Sequence, residues 1–251
     1  MIVTWGRLLL ERALRWRSYE LHPIAVPVSL APPLPAEPYR ENSEVGAVNM
    51  RDKVERQARG EPFEWPDIVA LNQTVATMIG DASRIVELGS GTGAFAWEAS
   101  ADPRVQLTCS EYDAEAHEWA VQHRSRPNIH YVNGPLRPEH GPFDLLVTVE
   151  VIEHLADYRA FLTLCGSLAP KAIFTTPNKL RSARTATAGP PPYYQHVREW
   201  TAGEFYWVLR AFYQKVRLFG MPDPNAVGAV PITVTDTLSP LIAVCEQPHH
   251  E

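Results

Sequence analysis

Cysteine is scarce. Only Cys109, Cys165 and Cys245 occur in 251 residues, an odd number with neither metal-ligand spacing nor the makings of a disulfide framework. Each sits in an apolar run, which marks it as a small core hydrophobe, and reduced thiols fit a cytoplasmic location. Long apolar runs are missing too. No stretch approaches the ~18 residues that span a membrane. Leucines 8–10 are interrupted by Arg7, Glu11, Arg12 and Arg15, which is not the pattern of a secretory leader. An excess of positive charge is also lacking. The 23 basic side chains face 29 acidic ones, a formal charge of −6. That balance counts against a general nucleic-acid binder, whose affinity rests on neutralising phosphates.

Proline, by contrast, is in excess at 23 of 251 residues, well above the usual ~5%. Proline interrupts helices and central strands, so the surplus belongs in connections. Residues 22–40 hold six, at 23, 27, 32, 33, 35 and 38, and read as an extended, polyproline-like arm. Residues 1–19 read as an amphipathic helix, with Trp5, Leu8, Leu9, Arg12 and Trp16 at helical spacing. Such a helix docks on its own domain, pairs with a second copy in a homodimer, or lies on a membrane surface or partner. Residues 1–65 therefore form a helix and proline-rich arm, and 66–251 one domain.

From Pro66, well placed in the first turn of a helix, apolar runs alternate with helical patterns. The runs are Arg84–Leu88, Val105–Ser110, Ile129–Val132, Phe143–Val149 and Ala172–Thr176. Helical periodicity fills Ala94–Ser100, Ala114–His123 and Asp157–Leu168, and another helix follows Thr201. Two more strands are expected at Lys215–Phe219 and Leu241–Cys245. Alternation with near-continuous apolar strands predicts an α/β fold whose mostly parallel sheet carries helices on both faces.

The first strand runs into Glu87-Leu88-Gly89-Ser90-Gly91-Thr92-Gly93 and then a helix. Glycines here let the backbone approach a ligand and present free amides at a helix N-terminus. The spacing is not that of dinucleotide folds. Glu87 would repel a phosphate but attract an ammonium. Glu111, followed by Tyr112, ends the second strand about twenty residues on, where an acid can accept from ribose hydroxyls. A carboxylate for a cation, a backbone cradle and an acid for a ribose suit a nucleoside with an amino-acid tail, which describes S-adenosylmethionine.

With those residues in place, Val86–Phe95 resembles the first motif of class I S-adenosylmethionine-dependent methyltransferases, and Phe143-Asp144-Leu145-Leu146-Val147 resembles their fourth-strand motif. The resemblance spans roughly residues 66–220. It implies a Rossmann-like, seven-stranded sheet in the order 3-2-1-4-5-7-6 with the last strand antiparallel, and a cofactor site of Glu87, Gly89, Ser90, Gly91, Gly93, Glu111 and Tyr112. Where the family often has Gly-Asp after the third strand, this chain has Asn133-Gly134-Pro135. Asn133 is then the residue left to accept from the adenine amino group.

After the fourth strand comes Glu150-Val151-Ile152-Glu153-His154, at the crevice of an open parallel sheet. In a helix, Glu150 would share a face with Glu153 and His154. His154, His196 or Glu150 could then take a proton from an acceptor hydroxyl. Alternatively, oxygen and imidazole ligands would hold magnesium or manganese. The segment Tyr193–Thr201, with His196, Arg198 and Glu199, resembles one found in bacterial methyltransferases of sugars and secondary metabolites. Glu150, Glu153, His154 and His196 also match the metal ligands of 2′-O-methyltransferases of small-RNA 3′ ends. The expected activity is O-methylation of a small hydroxylated acceptor. The alternatives are metal-dependent RNA 3′-end methylation and a non-catalytic cofactor-binding scaffold. Lys179, Arg181 and Arg184 read as a solvated loop or as a grip on an anionic substrate.

Overall fold

The computed structural model describes residues 50–182, 191, 193 and 195–249. The expected N-terminal helix, the proline-rich arm and Arg184 lie outside them.

Eight strands form one sheet: β1 (Arg84–Leu88), β2 (Gln106–Glu111), β3 (Ile129–Asn133), β4 (Leu145–Thr148), β5 (Lys171–Thr176), β6 (Tyr213–Gly220), β7 (Val230–Pro231) and β8 (Leu241–Pro248). Their spatial order is β3-β2-β1-β4-β5-β8-β6-β7. β1 to β5 pair in parallel, and β8 enters antiparallel between β5 and β6. This is the expected seven-strand order with the two-residue β7 added at the edge. The helices are α1 (Met50–Ala58), α2 (Pro66–Ala76), α3 (Ala94–Ala99), α4 (Ala114–His123), α5 (Tyr158–Leu168), α6 (Lys179–Ser182) and α7 (Ala202–Arg210). The sequence reading did not anticipate α1. No helix among the described residues is long and apolar enough to cross a membrane.

The strands alternate side chains between two covered faces, which is why they read as continuous apolar runs. Val86, Leu146 and Phe174 pack with α5 and α7. Ile85, Val147 and Ile173 pack on the opposite face with α2 and α3. All three cysteines are buried and free, as their apolar surroundings suggest. Trp200 is fully buried and anchors the start of α7, tilted against Phe205 at 5.9 Å.

Side-chain caps fix the helix starts. Asp113 accepts from the Ala116 amide at 2.7 Å, and Asp157 from Ala160 at 3.0 Å. Thr201 and Glu204 form a capping box at α7, with Thr201 N donating to Glu204 at 2.8 Å. Asp144, just before β4, accepts from the Ser83 amide, the Ser83 hydroxyl and the Arg84 amide. It thereby sets the entry of β4 level with that of β1. The chain runs outward through β1, β2 and β3, then returns to place β4 on the other side of β1. The carboxyl ends of β1 and β4 therefore flank the switch point, where such sheets open a crevice.

Thr201 caps the helix that follows the His196–Trp200 segment. Thr201→Ala should cost about 1 kcal/mol of stability, read as a lower thermal midpoint with the fold retained by circular dichroism.

Candidate active site

The glycine loop between β1 and α3 takes left-handed backbone at Gly89 (φ 70), Gly91 (φ 52) and Gly93 (φ 76). A Cβ at Gly93 would lie 2.3 Å from the Tyr131 hydroxyl, and one at Gly89 2.7 Å from Val151. Space and torsion alike demand glycine at both. The loop leans on β2, with the Gly89 and Ser90 amides both donating to Ser110 O, at 2.9 and 3.0 Å.

Glu111 accepts from the Gly91 amide at 2.6 Å, and from Tyr112 and Asp113 at 2.8 and 2.9 Å. Burial raises its pKa above the usual carboxylate range, against the pull of these amides. A carboxylate offers about four lone pairs, so the amides leave one for a ligand hydroxyl. Tyr112 beside it is 70% exposed. The neighbouring Asn133 is exposed and donates through Nδ2 to Glu111 O at 3.0 Å. That bond leaves its amide oxygen as the acceptor.

Glu87 is 2% exposed. It lies beneath the loop, not on an open wall. Burial drives its pKa up to about 8, opposed by the Cys109 thiol and reinforced by Glu111. Its Oε2 has no hydrogen-bond partner among the described residues, and neither do the buried Ser90 Oγ, Thr148 Oγ1 and Glu153 Oε1. Buried polar atoms are normally paired. These four lie on or just beyond the carboxyl ends of β1 and β4, the place where a ligand would satisfy them.

Beyond β4 the expected helical face does not form. Glu150 takes positive φ (54°) and precedes a short 3-10 turn, Ile152–His154. The chain must reverse at the strand end, so Glu150 falls outside the turn. Its amide donates to Thr175 Oγ1 at 2.9 Å, and the same hydroxyl donates to the Glu150 carboxylate at 2.8 Å. Glu153, fully buried, accepts from the Thr176 hydroxyl at 3.1 Å. Burial raises the pKa of both acids, and Glu150 adds to the shift of Glu153.

Two backbone bonds bring the distant segment in. The Val197 and Arg198 amides both donate to Glu153 O, at 2.9 and 3.1 Å. This sets the His196 ring edge-on to His154, with centroids 4.9 Å apart. His154 Nδ1 meets Gln195 O at 3.0 Å, and His196 Nδ1 meets the Glu199 carboxylate at 2.6 Å. With each Nδ1–H donated, the lone pair sits on Nε2. Burial lowers the His154 pKa to about 4, so that ring is neutral. Glu153, His154 and His196 gather their ligand atoms within 4.8 Å of one another, and Glu150 is not part of that group. An orphaned carboxylate oxygen and two imidazoles held by their far nitrogens match how metal ligands are oriented, so the three residues fit a divalent cation.

Arg198 is buried, its guanidinium 4.9 Å from the Tyr158 ring centroid. Arg181 is exposed and donates to Ser239 O at 2.8 Å. The sequence reading gave no role to Thr148 or Thr175, which look like ordinary strand residues, nor to Glu199 as the partner of His196.

A family model described as a methyltransferase domain matches residues 50–212. No curated protein matches the sequence. Among solved structures, the methyltransferase domain of bacterial CtHen1-C aligns with a TM-score of 0.55 at 20% identity, covering 72% of this chain and 98% of that one. An S-adenosylmethionine-dependent methyltransferase from Thermotoga maritima aligns at 0.57 and 14% identity, covering 79% and 96%. The N-terminal domain of EvdMO1, solved with S-adenosylhomocysteine and D-fucose, aligns at 0.52 and 15%, covering 79% and 97%. At these identities the likeness is one of fold.

Glu87 supplies a pH test. Its folded pKa lies above its ordinary value, so between 4.5 and about 8 the folded chain keeps a proton that the unfolded chain releases. The contribution of Glu87 to stability is full below 4.5 and is lost as pH rises through that window. Glu87→Gln should make the thermal midpoint of the ligand-free protein decline less steeply than wild type over that range.

Proposed function

The chain belongs to the methyltransferase-domain family, and from that premise we propose that it moves the methyl group of S-adenosylmethionine to a hydroxyl of a small acceptor such as a sugar or secondary metabolite. The observation that carries this reading is the set of orphaned polar atoms around the left-handed loop, at the carboxyl ends of β1 and β4. In this reading Gly89, Ser90, Gly91 and Gly93 form the cradle. Glu111 takes a ribose hydroxyl on its remaining lone pair, and Tyr112 and Asn133 border the adenine. Glu87, buried beneath the loop with Oε2 unpaired among the described residues, is the acid that the cationic amino-acid end would favour in its ionised form.

The sulfonium is already a good leaving group. The protein's work is to align the acceptor oxygen with the methyl carbon and to take its proton. His196 is the better base of the pair. Glu199 holds its Nδ1 and is placed to stabilise the ring once protonated, whereas His154 is held neutral with a low pKa. The D-fucose in the EvdMO1 structure supports an acceptor of the sugar class.

A second reading rests on Glu153, His154 and His196 as a cluster. These residues, with Glu150 nearby, would hold magnesium or manganese in an RNA 3′-end 2′-O-methyltransferase, and the fold likeness to CtHen1-C is consistent with it. A bound cation would supply Lewis-acid activation of the hydroxyl. The −6 charge weighs against RNA. A third reading, a scaffold that binds the cofactor without transferring methyl, is separated by assay.

Isothermal titration should show S-adenosylmethionine binding in wild type and none in Gly91→Arg. On the small-acceptor reading, His196→Ala lowers kcat by about 100-fold or more and a chelator changes nothing. Loss of activity on chelation, restored by manganese, selects the metal reading. Binding without transfer to sugars, hydroxylated metabolites or RNA ends selects the scaffold.

A further inference from the structure

Glu64 belongs to none of the motifs, yet it is 9% exposed and sits at the centre of a polar cluster. Its Oε2 accepts from Lys53 Nζ on α1 at 2.7 Å. Its Oε1 accepts from the Thr92 hydroxyl at 2.6 Å and from Arg124, at the end of α4, at 3.3 Å. Arg124 Nη1 also donates to Thr92 Oγ1 at 3.1 Å and Thr92 O at 3.2 Å. Burial alone would raise the Glu64 pKa, but Lys53, Thr92 and Arg124 outweigh it and hold the group ionised. The surrounding turn is stiff. Arg56 donates to Pro62 O and Phe63 O, and Phe63 stacks on Trp119 at 4.2 Å.

Thr92 stands between Gly91 and Gly93, both left-handed. In the span Gly89–Gly93 only Ser90 and Thr92 have side chains beyond Cα, and the Ser90 hydroxyl has no partner among the described residues. The Thr92 hydroxyl is therefore the side-chain tether of the loop. On the opposite flank the Gly91 amide is held by Glu111. The loop is stretched between two carboxylates, one from β2 and one from the turn before α2.

We propose that Glu64 is a positioning residue for the cofactor loop, acting through the Thr92 hydroxyl, so that residues 50–65 form part of the cofactor site. The inference rests on the S-adenosylmethionine reading above. A glutamine at 64 keeps the shape but offers one oxygen and one NH2. It cannot accept from Lys53 on one side and from Thr92 and Arg124 on the other. Valine at 92 removes the hydroxyl and leaves the pairs of Glu64 with Lys53 and Arg124 in place.

The test uses the full chain, with S-adenosylhomocysteine as the titrated probe and thermal midpoints measured alongside. Glu64→Gln and Thr92→Val should each weaken binding about tenfold, the scale of a lost charge-assisted hydrogen bond. The double variant should bind no more weakly than either single one, and Thr92→Ser should bind like wild type. In turnover, KM for S-adenosylmethionine should rise while kcat at saturation holds. Lower midpoints with unchanged affinity in both single variants would make the cluster a structural pin and overturn the inference. Should Glu64→Gln fail to fold, Thr92→Val against Thr92→Ser decides alone. A wild-type chain that binds no S-adenosylhomocysteine would instead sink the cofactor reading, and this inference with it.

Discussion

The loop from Gly89 to Gly93 is the constraint on which the site depends. A chain that turns left-handed three times in five residues cannot hold itself in place through side chains it does not have. Its neighbours must hold it. Ser110 O takes two of its amides, Glu111 takes a third, and Thr92 is held by Glu64 and Arg124. Tyr131 fills the space that a Cβ at Gly93 would need, and its hydroxyl donates to Arg124 O at 3.0 Å. The ring that excludes a side chain and the arginine that grips the loop are thus tied to each other. Backbone freedom at the glycines becomes a fixed set of amides only because the surrounding structure over-determines it.

Burying charge is the second theme. Glu87, Glu111, Glu150 and Glu153 crowd the carboxyl ends of β1, β2 and β4, and burial is the largest influence raising each. Gathering these acids out of water is costly, since isolated buried carboxylates are strongly disfavoured. A ligand that brings positive charge or hydroxyl donors recovers part of that cost. Polar atoms left without partners at one end of the sheet are a poor way to stabilise a fold and a good way to prepare a site.

The sheet was legible in advance because the signal is periodic. Strands buried on both faces announce themselves in runs such as Leu145–Thr148, and the order of β1 to β6 and β8 followed from the family resemblance. The two-residue β7 carries no period to detect. For Glu111 the sequence offered a ligand role at the end of the second strand, but its hold on the Gly91, Tyr112 and Asp113 amides depends on loop geometry that spacing does not give. The placement of Glu150 was not legible. A helical spacing rule pairs positions 150, 153 and 154, but the strand must first turn, and the positive φ at Glu150 removes it from the group. Glu64 was invisible because its meaning depends on Thr92 and Arg124, distant in sequence and joined only by the fold. Glu199 stood inside a quoted segment, yet only the 2.6 Å contact with His196 assigns it work.

The two halves of the crevice are built by different means. The β1–β2 side is held by backbone amides of the loop, two on Ser110 O and one on the Glu111 carboxylate. The β4–β5 side is assembled from a 3-10 turn and the 195–200 segment, joined through one carbonyl, Glu153 O, that receives the Val197 and Arg198 amides. Behind that junction, Trp200 is buried and its carbonyl accepts from Lys179, so the far end of the segment is anchored in the core. Ahead of these anchors, Tyr193 donates to Gln195 Oε1 at 2.7 Å, and the Tyr193 and His154 rings meet the His196 ring at 4.8 and 4.9 Å. β1 and β4 are adjacent strands, paired from Ile85 with Leu145 to Glu87 with Val147. The two halves therefore meet within one strand spacing, about 4.8 Å. A group seated on the β4–β5 side is thereby brought close to whatever the β1–β2 side holds.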